Sequence, residues 1–191
     1  MIDRVEGCKY LLSRIDKDDL LVGGVGNPAS DLAAAEDRDL NFYMWNAMGS
    51  AASFALGLAM ARPEKRVILL HGEGCLLMNL GALATETVCY PENLIHIVWD
   101  NRMYHLTGKQ PSATAFLTDL AKVAKGCGFE HVARCESLDA FKVALDKALV
   151  APGPHFILAL NDDKDPVGHF PASPTYIKHR FMTALGVDAQ T

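Results

Sequence analysis

The apolar positions Val5, Cys8, Leu12 and Ile15 recur at the spacing of one helix face and predict an amphipathic helix ending near Lys17. The run from Asp19 to Val25 is apolar and closes in glycines, which predicts a strand leading into a turn. Asn27-Pro28 then reads as an N-cap with proline at the first helical position, opening a helix to about Ala35. A second strand is predicted over Asn41–Met44, followed by a tightly packed, alanine- and glycine-rich helix over Gly49–Met60 that stops before Pro63. Arg66–Leu70 predicts a strand, Leu76–Cys89 a helix and Leu94–Trp99 another strand, and the strands to this point read as buried on both faces. Beyond a loop from Asn101 to Ala113, the pattern predicts a helix over Phe116–Lys125, a strand over Glu130–Ala133, a helix over Leu138–Leu149 and a strand over Phe156–Leu160. A polar, proline-marked connection from Asn161 to Pro174 leads to a short helix around Tyr176–Leu185.

Strands that alternate with helices predict an α/β fold, a three-layer doubly wound parallel sheet with helices on both faces. Such sheets bind ligands beyond the carboxyl ends of their strands. The junctions to watch are therefore Gly23–Asn27, Gly72–Cys75 and Asp100–Gly108.

Composition narrows the classes of function. A chain of 191 residues, 50% hydrophobic and 21% charged, can bury one sizeable core. With no repeat, low-complexity tract or long linker, residues 1–191 are expected to form a single domain. The 18 basic and 23 acidic residues give a net charge of −5 without a basic run, so no nucleic-acid partner is expected. Asp3, Arg4, Glu6, Lys9 and Arg14 interrupt the first segment, and no apolar run has the length of a membrane span; a cytoplasmic protein without membrane partners is expected. The five cysteines form no CxxC pair, which argues against a disulfide framework and a zinc cluster and for buried small side chains.

Two stretches carry candidate chemistry. Gly24–Ala29 fits the loose G-x-G-x-x-A dinucleotide pattern, but Phe42–Asn46 supplies no acidic residue for a nicotinamide ribose, so a turn needing glycine explains it better. In Gly72-Glu73-Gly74-Cys75 a carboxylate stands between two glycines at the end of a buried strand, and Asn101 follows the end of the next strand. If those strands are neighbours, both oxygens can face one point and hold a hard cation such as Mg²⁺ against a phosphate, which backbone N–H groups at the glycines approach closely.

Gly72-Glu73-Gly74-Cys75 through Asp100-Asn101 resembles the G-D-G-S…N-N signature of thiamine diphosphate enzymes. Phe42–Gly49, Leu76–Thr85, Thr107–Pro111 and Ser173–Met182 are similar to segments of the sulfopyruvate decarboxylase beta subunit and phosphonopyruvate decarboxylase family, so the resemblance spans nearly the whole chain. It implies the thiamine diphosphate-binding fold in its diphosphate-binding form and a 2-oxo acid decarboxylase subunit. Carried over by motif position, Glu73 and Asn101 would be side-chain metal ligands and Met103 a carbonyl ligand. Gly72, Gly74 and Cys75 would line the diphosphate, the last two through backbone N–H groups, helped by the Asn27 turn and the loop Tyr104, His105, Leu106. Met48 would hold the cofactor in its bent shape, and the Asn46 carbonyl would receive the aminopyrimidine amino group. The glutamate that protonates the pyrimidine belongs to a pyrimidine-binding domain, for which this chain has no room; a hetero-oligomer with an alpha-type chain is implied, and self-association where that chain is missing.

Three positions depart from the signature. Glu73 stands for the usual aspartate and pushes its carboxylate outward, which Ca²⁺ or Mn²⁺ accommodates more easily than Mg²⁺. Cys75 stands for serine and Asp100 for the first asparagine. A domain that kept the fold and lost the cofactor is one alternative, and an acetolactate synthase-like carboligase subunit is another. His105, with Arg102 and Lys109 nearby, is the candidate for proton transfer and for neutralising an anionic 2-oxo acid substrate, although a solvated loop explains the same residues. His71 reads as a packing or loop-positioning residue, while His96, His131, His155, His169 and His179 have no companions that make a site.

Overall fold

Unbroken apolar runs pair side by side at the centre of a computed structural model that describes residues 1–171 and 173–187. In chain order the elements are α1 (Arg4–Arg14), β1 (Leu20–Gly23), α2 (Asn27–Ala35), β2 (Asn41–Tyr43), α3 (Ala51–Ala61), β3 (Val67–Gly72), α4 (Glu73–Leu77) and α5 (Gly81–Cys89). They continue with β4 (Leu94–Asp100), β5 (Met103–Tyr104), β6 (Gln110–Pro111), α6 (Leu120–Gly126), β7 (His131–Cys135), α7 (Leu138–Val150), β8 (His155–Leu160) and α8 (Pro174–Ala184). Six strands form one parallel sheet in the order β2-β1-β3-β4-β8-β7. Every residue of β1, β4 and β8 is buried, as is β3 up to His71. The edge strand β7 is half exposed.

Alternate side chains enter two layers of core. Leu21, Ile68, Leu70, Ile97, Trp99 and Ile157 pack under α1, α2 and α7. On the opposite face Leu20, Val22, Val67 and Leu69 meet the small residues Ala51, Ala52, Ala55 and Ala59 of α3. Val98, Phe156 and Leu158 meet Leu120, Ala121 and Ala124 of α6 on that side. The doubly wound three-layer fold follows from period-two burial on a sheet covered twice. No helix among the described residues is long and apolar enough to cross a membrane.

Three local expectations need correction. The helix expected over Leu76–Cys89 is two helices, α4 and α5, and the first begins at Glu73. The break falls where the Asn79 amide donates to Gly49 O at 3.2 Å and to Ser53 Oγ at 3.3 Å, bonds to the turn before α3 and to the first turn of α3. The helix expected from Phe116 starts at Leu120, because Asp119 caps it by accepting from Ala121 N and Lys122 N; Phe116 and Leu117 are left exposed in the preceding turn. Asn27 is the first residue of α2 and not its cap: Gly26, at φ 91°, holds that position in a backbone conformation that suits glycine, and the Asn27 amide is free for another use.

Candidate functional site

At the carboxyl edge of the sheet, three chain turns enclose a cavity of about 240 Å³. The first is the turn between β1 and α2. There Gly24 lies so close to His71 that an added Cβ would be 2.3 Å from the His71 Cβ, and the same atom on Gly26 would meet Leu106 Cδ1 at 2.9 Å. These packing demands account for the two glycines of the dinucleotide-like pattern. The second is Gly72-Glu73-Gly74-Cys75, which runs from β3 into α4. A Cβ on Gly74 would strike the Tyr104 ring at 2.7 Å, so this glycine lets the third turn, the loop after β4, fold down over the motif.

Of the residues expected to bind cofactor or metal, Asn27, Met48, Gly72, Glu73, Gly74 and Cys75 all line this cavity. So do Asn101, Met103, Tyr104, His105 and Leu106 from the third turn. Asn46 does not: it is exposed, at φ 45°, in the turn between β2 and Met48. Strand pairing makes the convergence possible, since Gly72 stands opposite Trp99 in the β3–β4 ladder and places Glu73 beside the residues that lead to Asn101.

Polar atoms without partners mark the cavity. Among the described residues, both amide atoms of Asn27, Glu73 Oε1 and His105 Nδ1 are buried and make no hydrogen bond. Buried polar groups are ordinarily satisfied, so several orphans around one cavity point to a bound polar group. Burial first, and then the neighbouring Asp100 carboxylate, push the Glu73 carboxyl up to about 7. An added cation would relieve both effects. Asn101 Oδ1 accepts from Met103 N at 3.2 Å and keeps a second lone pair. No cluster of three or more His, Cys, Asp or Glu side chains occurs among the described residues, so any cation here relies on a mixed carboxylate, amide and carbonyl set. Glu73 is buried, with 3% of its surface exposed, and does not project into solvent.

Cys75 has a different use from that of a hydrogen-bond donor. Its sulfur accepts from Gly49 N at 3.2 Å and so fixes the turn that carries Met48, whose Cε reaches within 3.5 Å of the place a Gly74 Cβ would take. Burial pushes the Cys75 thiol up and keeps it protonated. His105 is held from outside, with Nε2 3.1 Å from the Asp163 carbonyl oxygen and 3.2 Å from Asp165 Oδ1. A carbonyl only accepts, so Nε2 carries a hydrogen in this contact.

Arg4, Trp99 and Asn161 also line the cavity, although their sequence contexts read as helix, core strand and connection. Only the position of Asn161 at the end of the last strand could have drawn attention to it. His96, read as solitary, has companions: its Nε2 is 2.6 Å from His71 Nε2 and its Nδ1 is 2.9 Å from Glu86 Oε2, all buried behind the glycine motif. Burial, then the neighbouring His96, hold His71 well below the usual imidazole range and therefore neutral.

A doubly wound sheet whose strand-end turns meet around a cavity at the carboxyl edge has the architecture of a ligand-binding α/β domain. Residues 24–159 match the model of the thiamine pyrophosphate enzyme C-terminal binding domain, and the chain belongs to that family; thiamine pyrophosphate and thiamine diphosphate are the same compound. The chain is 34% identical over 183 residues to sulfopyruvate decarboxylase subunit beta of Methanocaldococcus jannaschii, covering 95% of this chain and 96% of that one. It is 37% identical over 180 residues to phosphonopyruvate decarboxylase of Streptomyces viridochromogenes, covering 93% of this chain but only 45% of the relative. Benzoylformate decarboxylase from Polynucleobacter necessarius shares the fold with a TM-score of 0.71 at 18% identity, over 85% of this chain and 34% of the solved one.

Proposed function

We propose that the chain is the diphosphate- and metal-holding subunit of a thiamine diphosphate-dependent 2-oxo acid decarboxylase, with a small anionic substrate of the sulfopyruvate or phosphonopyruvate kind. The observation that carries this reading is the meeting of unpartnered, buried polar atoms of Asn27, Glu73 and His105 in one cavity at the carboxyl edge of the sheet. Glu73, Asn101 and the Met103 carbonyl hold the divalent cation, Mg²⁺ or the more tolerant Ca²⁺ or Mn²⁺. The backbone N–H groups of Gly74 and Cys75 hold the diphosphate, together with Asn27 and the loop Tyr104–Leu106. Met48 supports the cofactor from below, and the Asn46 carbonyl takes the pyrimidine amino group.

When bound, the cofactor supplies the nucleophilic carbon and the electron sink for loss of carbon dioxide. Met48, Tyr104 and Leu106 provide apolar walls that keep water from the reacting region. His105 is oriented through Nε2 so that Nδ1 can take or return a proton.

The size of the cavity and the names of the relatives support a partner chain. A cavity of about 240 Å³ falls below the roughly 300–1,000 Å³ of sites that enclose a whole ligand, in keeping with half of a shared site. The relative matched over 96% of its length is named a beta subunit, and the phosphonopyruvate decarboxylase relative is matched over only 45%. A pyrimidine-binding alpha-type chain is therefore proposed to complete a hetero-oligomer in the cytoplasm, a compartment that suits five free cysteines.

The test is affinity purification of the full chain from its native source, with mass spectrometry of co-purifying chains and assay of bound thiamine diphosphate, metal and decarboxylation of both 2-oxo acids. A pyrimidine-domain chain, bound cofactor and turnover of one acid are expected. Enzymatic turnover by the isolated chain would remove the partner from the proposal, and a purified complex without affinity for the cofactor would overturn the reading.

A further inference from the structure

The inner wall of the cavity contains polar groups for which the cofactor ligands named so far provide no use. Gly72, Trp99 and Ala159 stand in one row across β3, β4 and β8. Asn161, two residues beyond Ala159, continues its side of the sheet. Gly72 is the gap in this row, because a Cβ there would meet nothing within 4 Å. The row leads away from Met48 and Gly74 toward the first turn of α1, where Arg4 forms part of the wall.

Trp99 and Asn161 are 2% and 1% exposed, and among the described residues neither Trp99 Nε1 nor Asn161 Oδ1 has a hydrogen-bond partner. The Trp99 ring is held in place, with Phe141 at 5.1 Å between centroids and Gly7 of α1 so close that a Cβ would lie 2.5 Å from the ring. All three Arg4 nitrogens are engaged in holding the chain, donating to Asp31 Oδ2 at 2.7 Å, Asp162 O at 3.1 Å and Lys164 O at 2.7 Å, which leaves two of its five N–H groups. An indole N–H only donates, so the group that satisfies it must be an acceptor. Asn161 Nδ2 donates to Asp162 O, which fixes the amide and leaves its buried oxygen as an unused acceptor.

We propose that Trp99 and Asn161 form an inner subsite for the terminal phosphoryl group of the diphosphate, with Trp99 Nε1–H donating to a phosphoryl oxygen. Asn161 Oδ1 accepts from water carried in with the cation, since Mg²⁺ keeps several of its waters when it binds phosphates. The inference rests on the cofactor reading and adds two residues to it. Phosphate recognition on this wall comes from a neutral, rigid donor, while Arg4 serves as a structural cation.

The chain has two tryptophans, so Trp45→Phe leaves Trp99 as the sole indole fluorophore. The full-length W45F chain is titrated with Mg²⁺ and thiamine diphosphate, inorganic pyrophosphate or thiamine, by fluorescence and calorimetry in parallel. Trp99 emission is expected to change with thiamine diphosphate and pyrophosphate, saturating at the calorimetric midpoint, and to stay constant with thiamine. Trp99→Phe in the otherwise native chain keeps an aromatic ring and is expected to weaken binding of both phosphate compounds about tenfold, the size of one hydrogen bond to a charged group. Calorimetric binding of thiamine diphosphate without any change in Trp99 emission would overturn the subsite and leave the cofactor reading standing. A Trp99→Phe chain that folds and binds pyrophosphate as the native chain does would also overturn it. No calorimetric binding by the native chain, either alone or in its purified complex, would overturn the cofactor reading and the subsite with it.

Discussion

Glu73 and Asp100 are buried carboxylates at the ends of neighbouring strands, and the chemistry of the site at the residue scale turns on how differently they are satisfied. Asp100 Oδ1 accepts from Arg102 N at 2.9 Å and from Thr114 Oγ1 at 2.7 Å, whereas Glu73 Oε1 has no partner among the described residues. The Glu73 carboxyl is raised to about 7 from an ordinary value of 4.5, so the fold favours its protonated form. Its contribution to stability is intact below pH 4.5 and is lost as pH rises to 7, because the folded state holds the proton longer than the unfolded state. By linkage the loss approaches about 3 kcal/mol above pH 7. Glu73→Gln removes this dependence. In metal-free denaturant titrations the native chain should lose stability relative to the variant between pH 5 and pH 8, and a comparison of the two cancels the opposite slope from His71. Added Mg²⁺ should stabilise the native chain more at pH 8 than at pH 5 and leave the variant nearly unchanged; a pH-independent difference would contradict this. Cys75 allows a second residue-scale expectation. Serine in its place preserves an acceptor for Gly49 N and should be close to neutral, whereas alanine should cost about 1–2 kcal/mol by leaving that buried amide unpaired, as read from the same titrations.

At the element scale the site depends on a loop closed at its base. Ser112 N donates to Arg102 O at 2.9 Å, and the buried hydroxyls of Ser112 and Thr114 run 3.0 Å apart to the 2.7 Å bond on Asp100. This latch ties the two feet of the segment that carries Asn101, Met103, Tyr104 and His105. Thr114→Val keeps the shape and removes the hydroxyl, so a stability loss of about 1–2 kcal/mol is expected. Amide exchange should quicken over residues 103–109 while the central strands keep their protection; unchanged exchange in the loop would show that the latch does not hold it. The apolar runs of β3, β4 and β8 were legible because burial on both faces leaves few polar positions, and their predicted ends fall within two residues of those observed. The glycine motif and the loop after β4 were legible because they lie at strand ends, where a doubly wound sheet collects its ligands. The split between α4 and α5 was hidden, since its cause is the bonding of Asn79 to Gly49 and Ser53 at the distant start of α3. Trp99 and Asn161 were hidden for a related reason: one read as an ordinary residue of a core strand and the other as the start of a connection until the register set them on the side of the sheet with the gap at Gly72.

For the whole molecule, one buried ion pair connects the first helix and the segment after β8 to the site. Arg4 and Asp31, 4% and 0% exposed, meet at 2.7 Å between the first turn of α1 and the middle of α2. The other arms of the Arg4 guanidinium hold the carbonyls of Asp162 and Lys164, and the second Asp31 oxygen accepts from Val167 N at 2.9 Å. The segment beyond β8 is thereby drawn across the carboxyl edge of the sheet, where Asp163 O and Asp165 reach His105 and Gly168 packs so tightly on Ala34 that a Cβ would sit 2.5 Å from its methyl. Removal of one partner leaves the other charge buried and uncompensated, a situation that typically costs about 3–5 kcal/mol, whereas replacement of both by apolar residues of similar volume is far less costly. Arg4→Met and Asp31→Leu should therefore each destabilise strongly, and the double variant should recover much of the loss. The carbonyls of Asp162 and Lys164 lose their donors in either chain that lacks Arg4, so the recovered double variant should still show faster amide exchange over residues 162–168 and weaker cofactor binding. If the two losses instead add in a double-mutant cycle, the pair is not a unit, and the tie between the segment after β8 and the site must come from the backbone contacts of the segment itself.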